Sequence, residues 1–180
     1  MRIDRRAAMA VLIVCAAGFA LRLIGLRYGL PAVYNPDEVA IMTRALSFGR
    51  GTLNPHNFLY PTFFFYILFA WVGVCLGLLW LTGRVPSLAA LQRLMFTDPA
   101  TIYTAGRALG AVLGTVTIAF VYRLGALVAD SRTALAAAIF IAVAPLHVRD
   151  SHYVKHDVPA TLAVVVAYLA IVSGIARKMQ

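Results

Sequence analysis

Long apolar runs separated by short polar stretches set the pattern of this chain. Residues 7–26 are apolar except for Arg22 near the far end. About 20 helical residues rising about 1.5 Å each cross a hydrocarbon core of about 30 Å, so this run predicts a first span. Residues 101–126 predict another, with Arg107 near one end and Arg123 near the other. Residues 133–148 form a shorter run with Pro145 near its end, and residues 158–176 a last one before Arg177 and Lys178. Residues 58–83 carry no charge and by hydropathy alone also read as a span. Between the first two spans lies a long loop, residues 27–100. Within it residues 37–48 predict a helix whose apolar stripe is Val39, Met42, Ala45 and Leu46, with Arg44 off the stripe. A short helix is expected at about residues 88–95.

Apolar residues make up 62% of the 180 residues and charged residues 13%, and mean hydropathy is +0.83. Soluble domains carry roughly 25% charged residues, so the composition indicates a membrane protein. The net charge of +9 does not point to nucleic acid, because the basic residues are scattered between apolar runs. All of them except Lys155 and Lys178 are Arg, which together with the many Ala suggests a GC-rich bacterial genome. Cys15 and Cys75 both sit in apolar runs, read as small packing residues rather than a disulfide framework or metal knuckle. The basic start followed by an apolar run resembles a signal peptide. The run is too long for one and lacks a good cleavage site, so it reads as an uncleaved span.

Whether residues 58–83 cross decides which polar stretches share a face. If they lie at the interface there are four spans. Arg2, Arg5, Arg6, Arg123, Arg132, Arg177 and Lys178 are then cytoplasmic, and the short second outer loop holds only Arg149 and Lys155. The first outer loop also holds basic residues, but it exceeds the roughly 60-residue length within which the positive-inside rule is reliable. With five spans the charges divide evenly. The expectation is therefore an all-α polytopic helical bundle: a cytoplasmic N-terminus, four spans (about 7–26, 101–126, 133–148 and 158–176), and interfacial helices at about 37–48 and 58–83 within the outer loop. Gly106, Gly110 and Gly114 share one helix face and suit close packing, and Gly73 and Gly77 make the same kind of face. Arg22 either snorkels to the interface or turns inward onto an anion.

Only seven Asp and Glu occur, and Asp37 and Glu38 are adjacent. Asn35 can cap the helix that follows, with Pro36 at its first position and both acids in its first turn, so capping alone accounts for acids there. In so apolar a chain, a carboxylate pair at a membrane boundary also suits chemistry. A second polar stretch, residues 147–157, holds Arg149, His152, Lys155, His156 and Asp157. His152 and His156 stand four apart and with a third ligand could bind zinc, though that spacing is common by chance and Pro159 limits helix there. Asp157 equally suits a helix cap.

The order of these pieces resembles the N-terminal part of a GT-C glycosyltransferase, in the branch of protein O-mannosyltransferases and lipid A aminoarabinose transferases. The pieces are one span, Pro36-Asp37-Glu38, then Asn54-Pro55-His56 and Leu59-Tyr60-Pro61-Thr62 leading into an apolar juxtamembrane helix. Next come Gly106-Arg107-Ala108-Leu109-Gly110 opening a span, and Tyr153-Val154-Lys155-His156-Asp157. The match runs over nearly the whole chain. Many relatives have two prolines where this chain has Pro61-Thr62. Members also have many more spans, so the remaining spans of a larger enzyme are an expected partner.

The resemblance implies transfer of a sugar from a polyprenyl-phosphate donor to an acceptor hydroxyl on a protein or glycolipid. The transfer would occur, with inversion, at the outer face of a bacterial inner membrane. It implies Asp37 as the base with Glu38 its partner, and Asp157 lining the same cavity, orienting the acceptor or binding a metal. Arg107, then Lys155 and Arg149, would steady the departing phosphate, and His56 and Tyr60 would contact substrate. No metal ligand set is assigned, and a divalent cation at the phosphate is left open. The rivals are a small non-enzymatic membrane protein that binds a lipid phosphate, and a transporter fragment. Against the transporter, no long span carries an acid at its centre.

Overall fold

The computed structural model describes residues 5–56 and 58–178, so Arg2 lies outside it. Among the described residues the regular elements are helices and there is no strand. In chain order the α-helices are α1 (Arg5–Leu23), α2 (Pro36–Ser47), α3 (Thr62–Leu81), α4 (Leu88–Thr97), α5 (Pro99–Val128), α6 (Ser131–Val143), α7 (Pro145–Asp150) and α8 (Asp157–Lys178), with a 3-10 turn, Phe48–Arg50, directly after α2. Among the described residues four helices are long and apolar enough to cross a membrane: α1, α3, α5 and the stretch Asp157–Ala176 of α8. The expected span at residues 133–148 is built from α6, a shorter apolar helix, and the start of α7, with a break at Ala144-Pro145.

Helix boundaries follow local chemistry. Asn35 caps α2 as its spacing suggests: its side-chain oxygen accepts from the Asp37 N–H at 3.1 Å, and Pro36 occupies the first position. Ser87 caps α4 through the Ala90 N–H. Asp130 caps α6, accepting from the N–H groups of Arg132 (2.7 Å) and Thr133 (3.0 Å). The Thr133 and then the Arg132 N–H hold its carboxyl below the usual carboxylate range. Gly83, with φ of 70°, ends α3 in the left-handed region, where a side chain would be strained.

The chain divides into two units, with α5 running through both. The first gathers the chain through Ile24, Ala111–His152, and the residues from Asp157 onward. Its core is a seam of small residues. Ala134, Ala138 and Ala142 recur every fourth position of α6 and are buried against Ile118, Tyr122 and Ala126, with Val11, Val14 and Cys15 of α1 beside them. A methyl group placed on Gly125 would stand 3.0 Å from the Ala134 Cα, so the backbones of α5 and α6 touch there.

The same unit buries Arg22 completely, and neither expected fate of that residue describes it. Pro145 has no N–H to give the Ile141 carbonyl, so the last carbonyls of α6 lose their helical partners. Arg22 supplies them. Its Nη1 donates to Ala142 O at 3.0 Å and to Gly18 O at 2.8 Å, and its Nη2 to Ile141 O at 3.2 Å. Nη2 also lies 2.8 Å from His147 Nδ1. A guanidinium cannot accept, so Nδ1 is the acceptor and the imidazole is neutral. The cation thus sits on the negative end of a helix dipole rather than on an anion.

The second unit comprises Gly25–Gly110 and Tyr153–His156. Here α2 buries Ile41, Met42 and Ala45 against Phe64, Phe65, Leu68 and Val72 of α3. Phe48 stacks on Tyr66, with centroids 4.9 Å apart, and meets Phe69 edge-on. Trp71 Nε1 donates to Ala105 O at 2.8 Å, joining α3 to the second turn of α5. Gly106 is closely packed, since a Cβ there would meet Met42 at 2.5 Å and Val154 at 2.8 Å. Gly73 and Gly77 do not make the packing face expected of them. They lie on the opposite side of α3 from its buried stripe, and a Cβ on either meets nothing within 4 Å.

Replacing Arg22 with Leu is expected to leave the Ile141 and Ala142 carbonyls unpaired. Each buried orphan costs about 1–3 kcal/mol. Thermal unfolding of the detergent-solubilised protein should show a clear loss, with Arg22→Lys intermediate because an ammonium cannot span the same acceptors. An unchanged midpoint for Arg22→Leu would refute the capping role.

Candidate active site

The second unit gathers most of the residues that the sequence singles out. Pro36 starts α2 and places Asp37 and Glu38 in its first turn, where successive residues point about 100° apart. Glu38 turns into the core and is fully buried, while Asp37 stays at the surface with its side chain 39% exposed.

Glu38 meets Arg107 in a fork. Arg107 Nε donates to Oε1 at 2.9 Å and Nη2 to Oε2 at 2.7 Å. The remaining arm, Nη1, donates to the carbonyls of Leu26 (2.9 Å) and Tyr28 (2.8 Å), and the Tyr153 ring lies 5.5 Å from the guanidinium carbon. Glu38 Oε1 also accepts the Val154 N–H at 2.8 Å. One buried ion pair therefore ties four stretches together: the segment after α1, α2, the third turn of α5 and the 153–156 loop. Both charges are desolvated, but their donors and acceptors are well matched, which is the condition for such a pair to hold.

Asp37 stands beside this pair with partners of its own. Tyr60 donates its hydroxyl to Oδ1 at 3.2 Å, and the Lys155 ammonium lies 3.7 Å from Oδ2. The charge of Asp37 pushes the Tyr60 phenol up from its ordinary value, so the hydroxyl remains a donor. The Tyr60 ring packs at 5.0 Å from the His156 ring, whose buried Nδ1 has no hydrogen-bond partner. Arg44 braces the adjoining loop through the Pro55 carbonyl at 3.2 Å.

Of the residues singled out in the sequence, Asp37, Glu38, Tyr60, Arg107 and Lys155 thus come together. His56 belongs to the same unit but is exposed. Its φ is 53°, and its N–H donates to Asn54 Oδ1 at 2.9 Å. Arg149 and Asp157 belong to the other unit. The Arg149 guanidinium is exposed and paired with neighbouring Asp150 at 3.0 Å. Asp157 is exposed and is the first residue of α8 rather than the residue before it. Among the described residues no three His, Cys, Asp or Glu gather to hold a metal ion. In the sequence His156 stands out only as a candidate metal ligand, and its place against Tyr60 has no sequence signal.

Removing one member of the buried pair should cost about 3–5 kcal/mol, because the other charge stays buried alone. Glu38→Gln and Arg107→Met are each expected to give little monodisperse protein in detergent. The double replacement should recover part of the loss. Equal or greater loss in the double variant would refute this account.

Residues 85–180, more than half of the chain, match the family model described as dolichyl-phosphate-mannose-protein mannosyltransferase. The match contains Arg107, Lys155 and His156, while Asp37, Glu38 and Tyr60 precede it. No curated protein and no solved structure matches the chain. With its apolar helices the chain is a multi-pass membrane protein, and it belongs to the dolichyl-phosphate-mannose-protein mannosyltransferase family of polyprenyl-phosphate-sugar-dependent glycosyltransferases.

Proposed function

We propose that this chain forms the N-terminal part of the catalytic module of a GT-C glycosyltransferase of a bacterial inner membrane. It moves a sugar from a polyprenyl-phosphate donor to an acceptor hydroxyl, on a protein or a glycolipid, at the outer face. The observation that carries this reading is the Asp37 carboxylate, half exposed and held between the Lys155 ammonium and the Tyr60 hydroxyl. Asp37 takes the proton of the acceptor hydroxyl. The acceptor oxygen bonds to the sugar carbon as the bond from that carbon to the phosphate oxygen breaks, and the electron pair leaves with the phosphate. A single displacement inverts the carbon. Lys155 meets the growing phosphate charge. The guanidinium of Arg107 is committed to Glu38 and two carbonyls, so Arg107 and Glu38 act by positioning. His56, of the same unit, contacts substrate. The remaining spans of a larger enzyme complete the site.

The bonding in the second unit supports four crossings with the acids outside. Tyr60, just before α3, bonds Asp37, and Arg107, in the third turn of α5, bonds Glu38. A crossing by α3 would thus need a return crossing before Arg107. The helix available, α4, has 10 residues and rises about 15 Å, half of a core of about 30 Å. Val154 also bonds Glu38, so the chain from α5 onward leaves and comes back, through α6 and α7. The spans are then α1, α5, α6 with α7, and α8. The N-terminus is cytoplasmic and α2 to α4 lie outside.

Two measurements check this. Asp37→Asn is expected to lower sugar transfer by membranes carrying the protein about 10²–10⁴-fold, at unchanged expression and thermal stability. Retained transfer would remove Asp37 as the base. In a background with Cys15 and Cys75 changed to Ala, Tyr34→Cys, Arg84→Cys and Arg149→Cys should label with an impermeant maleimide on intact spheroplasts. Arg132→Cys should label only after permeabilisation. Protection of Arg84→Cys with labelling of Tyr34→Cys would mean that α3 crosses.

A further inference from the structure

Two cations of the second unit face the acids, and they are held in different ways. The Arg107 guanidinium is buried and makes four hydrogen bonds of 2.7–2.9 Å. The Lys155 ammonium stands 3.7 Å from Asp37 Oδ2, beyond the about 2.7–2.9 Å of a charge-assisted hydrogen bond. Its backbone is fixed by the Val154 N–H on Glu38 and by the Lys155 N–H on Tyr153 O at 3.0 Å. The backbone at Lys155 is therefore pinned, and its ammonium, a point charge at the end of a four-carbon stem, stands beside a partly exposed carboxylate. Asp37 keeps a second partner in the Tyr60 hydroxyl when the ammonium moves.

We propose that Lys155 is shared between Asp37 and the phosphate of the lipid donor, so that donor binding draws the ammonium off Asp37 and uncovers the carboxylate. This rests on the reading of Lys155 as a phosphate contact given above, and adds that the two anions compete for one cation. The consequence is an order of events. With no phosphate in place the carboxylate is covered by the ammonium and is a poor proton acceptor for a hydroxyl. With the donor seated, the same movement neutralises the phosphate and leaves Asp37 with Tyr60 alone. The donor phosphate is a diester and the product phosphate a monoester. The product carries more charge and holds Lys155 more tightly than the donor does.

The test is a double-mutant cycle on equilibrium binding, with decaprenyl phosphate as the probe and the purified full chain in nanodiscs. Asp37→Asn is expected to tighten binding about three- to fivefold, the scale of a partly exposed ion pair, because Lys155 no longer has a competing anion. Lys155→Met is expected to weaken binding, and adding Asp37→Asn to it should change nothing. Lys155→Arg, which keeps the cation, should keep the coupling and guards against a misfolded Met variant. Inorganic phosphate is expected to give a flat cycle, since it lacks the tail that seats the lipid. Unchanged or weaker binding by Asp37→Asn overturns the sharing. So does equal tightening with and without Lys155, which would mean simple repulsion between carboxylate and phosphate. The same coupling with inorganic phosphate overturns the lipid as occupant. A wild-type chain that binds no decaprenyl phosphate overturns the phosphate reading itself, a failure distinct from binding without coupling.

Discussion

The buried pair of Glu38 and Arg107 is the constraint on which the candidate site depends. A carboxylate and a guanidinium removed from water each carry a desolvation penalty of several kcal/mol, and the pair is tolerable only where every remaining donor and acceptor is used. The fork itself, the carbonyls of Leu26 and Tyr28, and the Val154 N–H meet that demand. Those same groups lie far apart in sequence. Satisfying two charges therefore fixes the path of the segment after α1, where α2 begins, which turn of α5 faces it, and where the 153–156 loop rests. Lys155 follows Val154 directly, so the bond that satisfies Glu38 also sets the root of the cation facing Asp37.

The first unit solves a different problem with the same side chain. Pro145 breaks the run that begins at Ser131 and strips the carbonyls of Ile141 and Ala142 of their helical partners. Arg22, from a helix distant in sequence, donates to both. Lysine could not reach these acceptors at once, because its donors radiate from one atom. Within this unit α1 is thus pinned to the end of α6 by hydrogen bonds and along its length by contact with the Ala134, Ala138, Ala142 face.

Much of the fold was legible because it rests on length and apolar content. The helices over residues 36–47, 62–81 and 99–128 follow runs that stand out in the sequence, and the Asn35 cap follows from Asn-Pro-Asp-Glu. The stripe on α2 was misplaced by one step. The apolar residues suggest Val39, Met42, Ala45 and Leu46, whereas the buried face is Glu38, Ile41, Met42 and Ala45, at the i, i+3, i+4, i+7 spacing of a helix. A carboxylate takes a core position only when a cation arrives there too, and Arg107 lies on a helix that the local pattern around Glu38 cannot see. The glycines mislead in the same way. Gly106 packs tightly and Gly73 faces nothing, yet both are small residues in apolar helices. The alanine seam of α6, in contrast, had a regular four-residue period that a search for small-residue faces would find.

The adjacency of Asp37 and Glu38 is best understood as a division of labour set by helix geometry. Neighbouring residues in a first turn point about 100° apart, so two identical charges can occupy opposite environments at no cost in chain length. Glu38 is buried, saturated and rigid. Asp37 is half exposed and held by one hydroxyl and one distant ammonium. A proton acceptor, the role proposed for Asp37, needs a fixed position together with an accessible lone pair, and one carboxylate can hardly supply both, since the bonds that fix it occupy the oxygens it would use. Placing the fixing bonds on the next residue resolves the conflict. The longer side chain of Glu reaches Arg107 and Val154 in the core, the shorter one of Asp stays at the surface, and exchanging the two would put the reach on the wrong side of the helix.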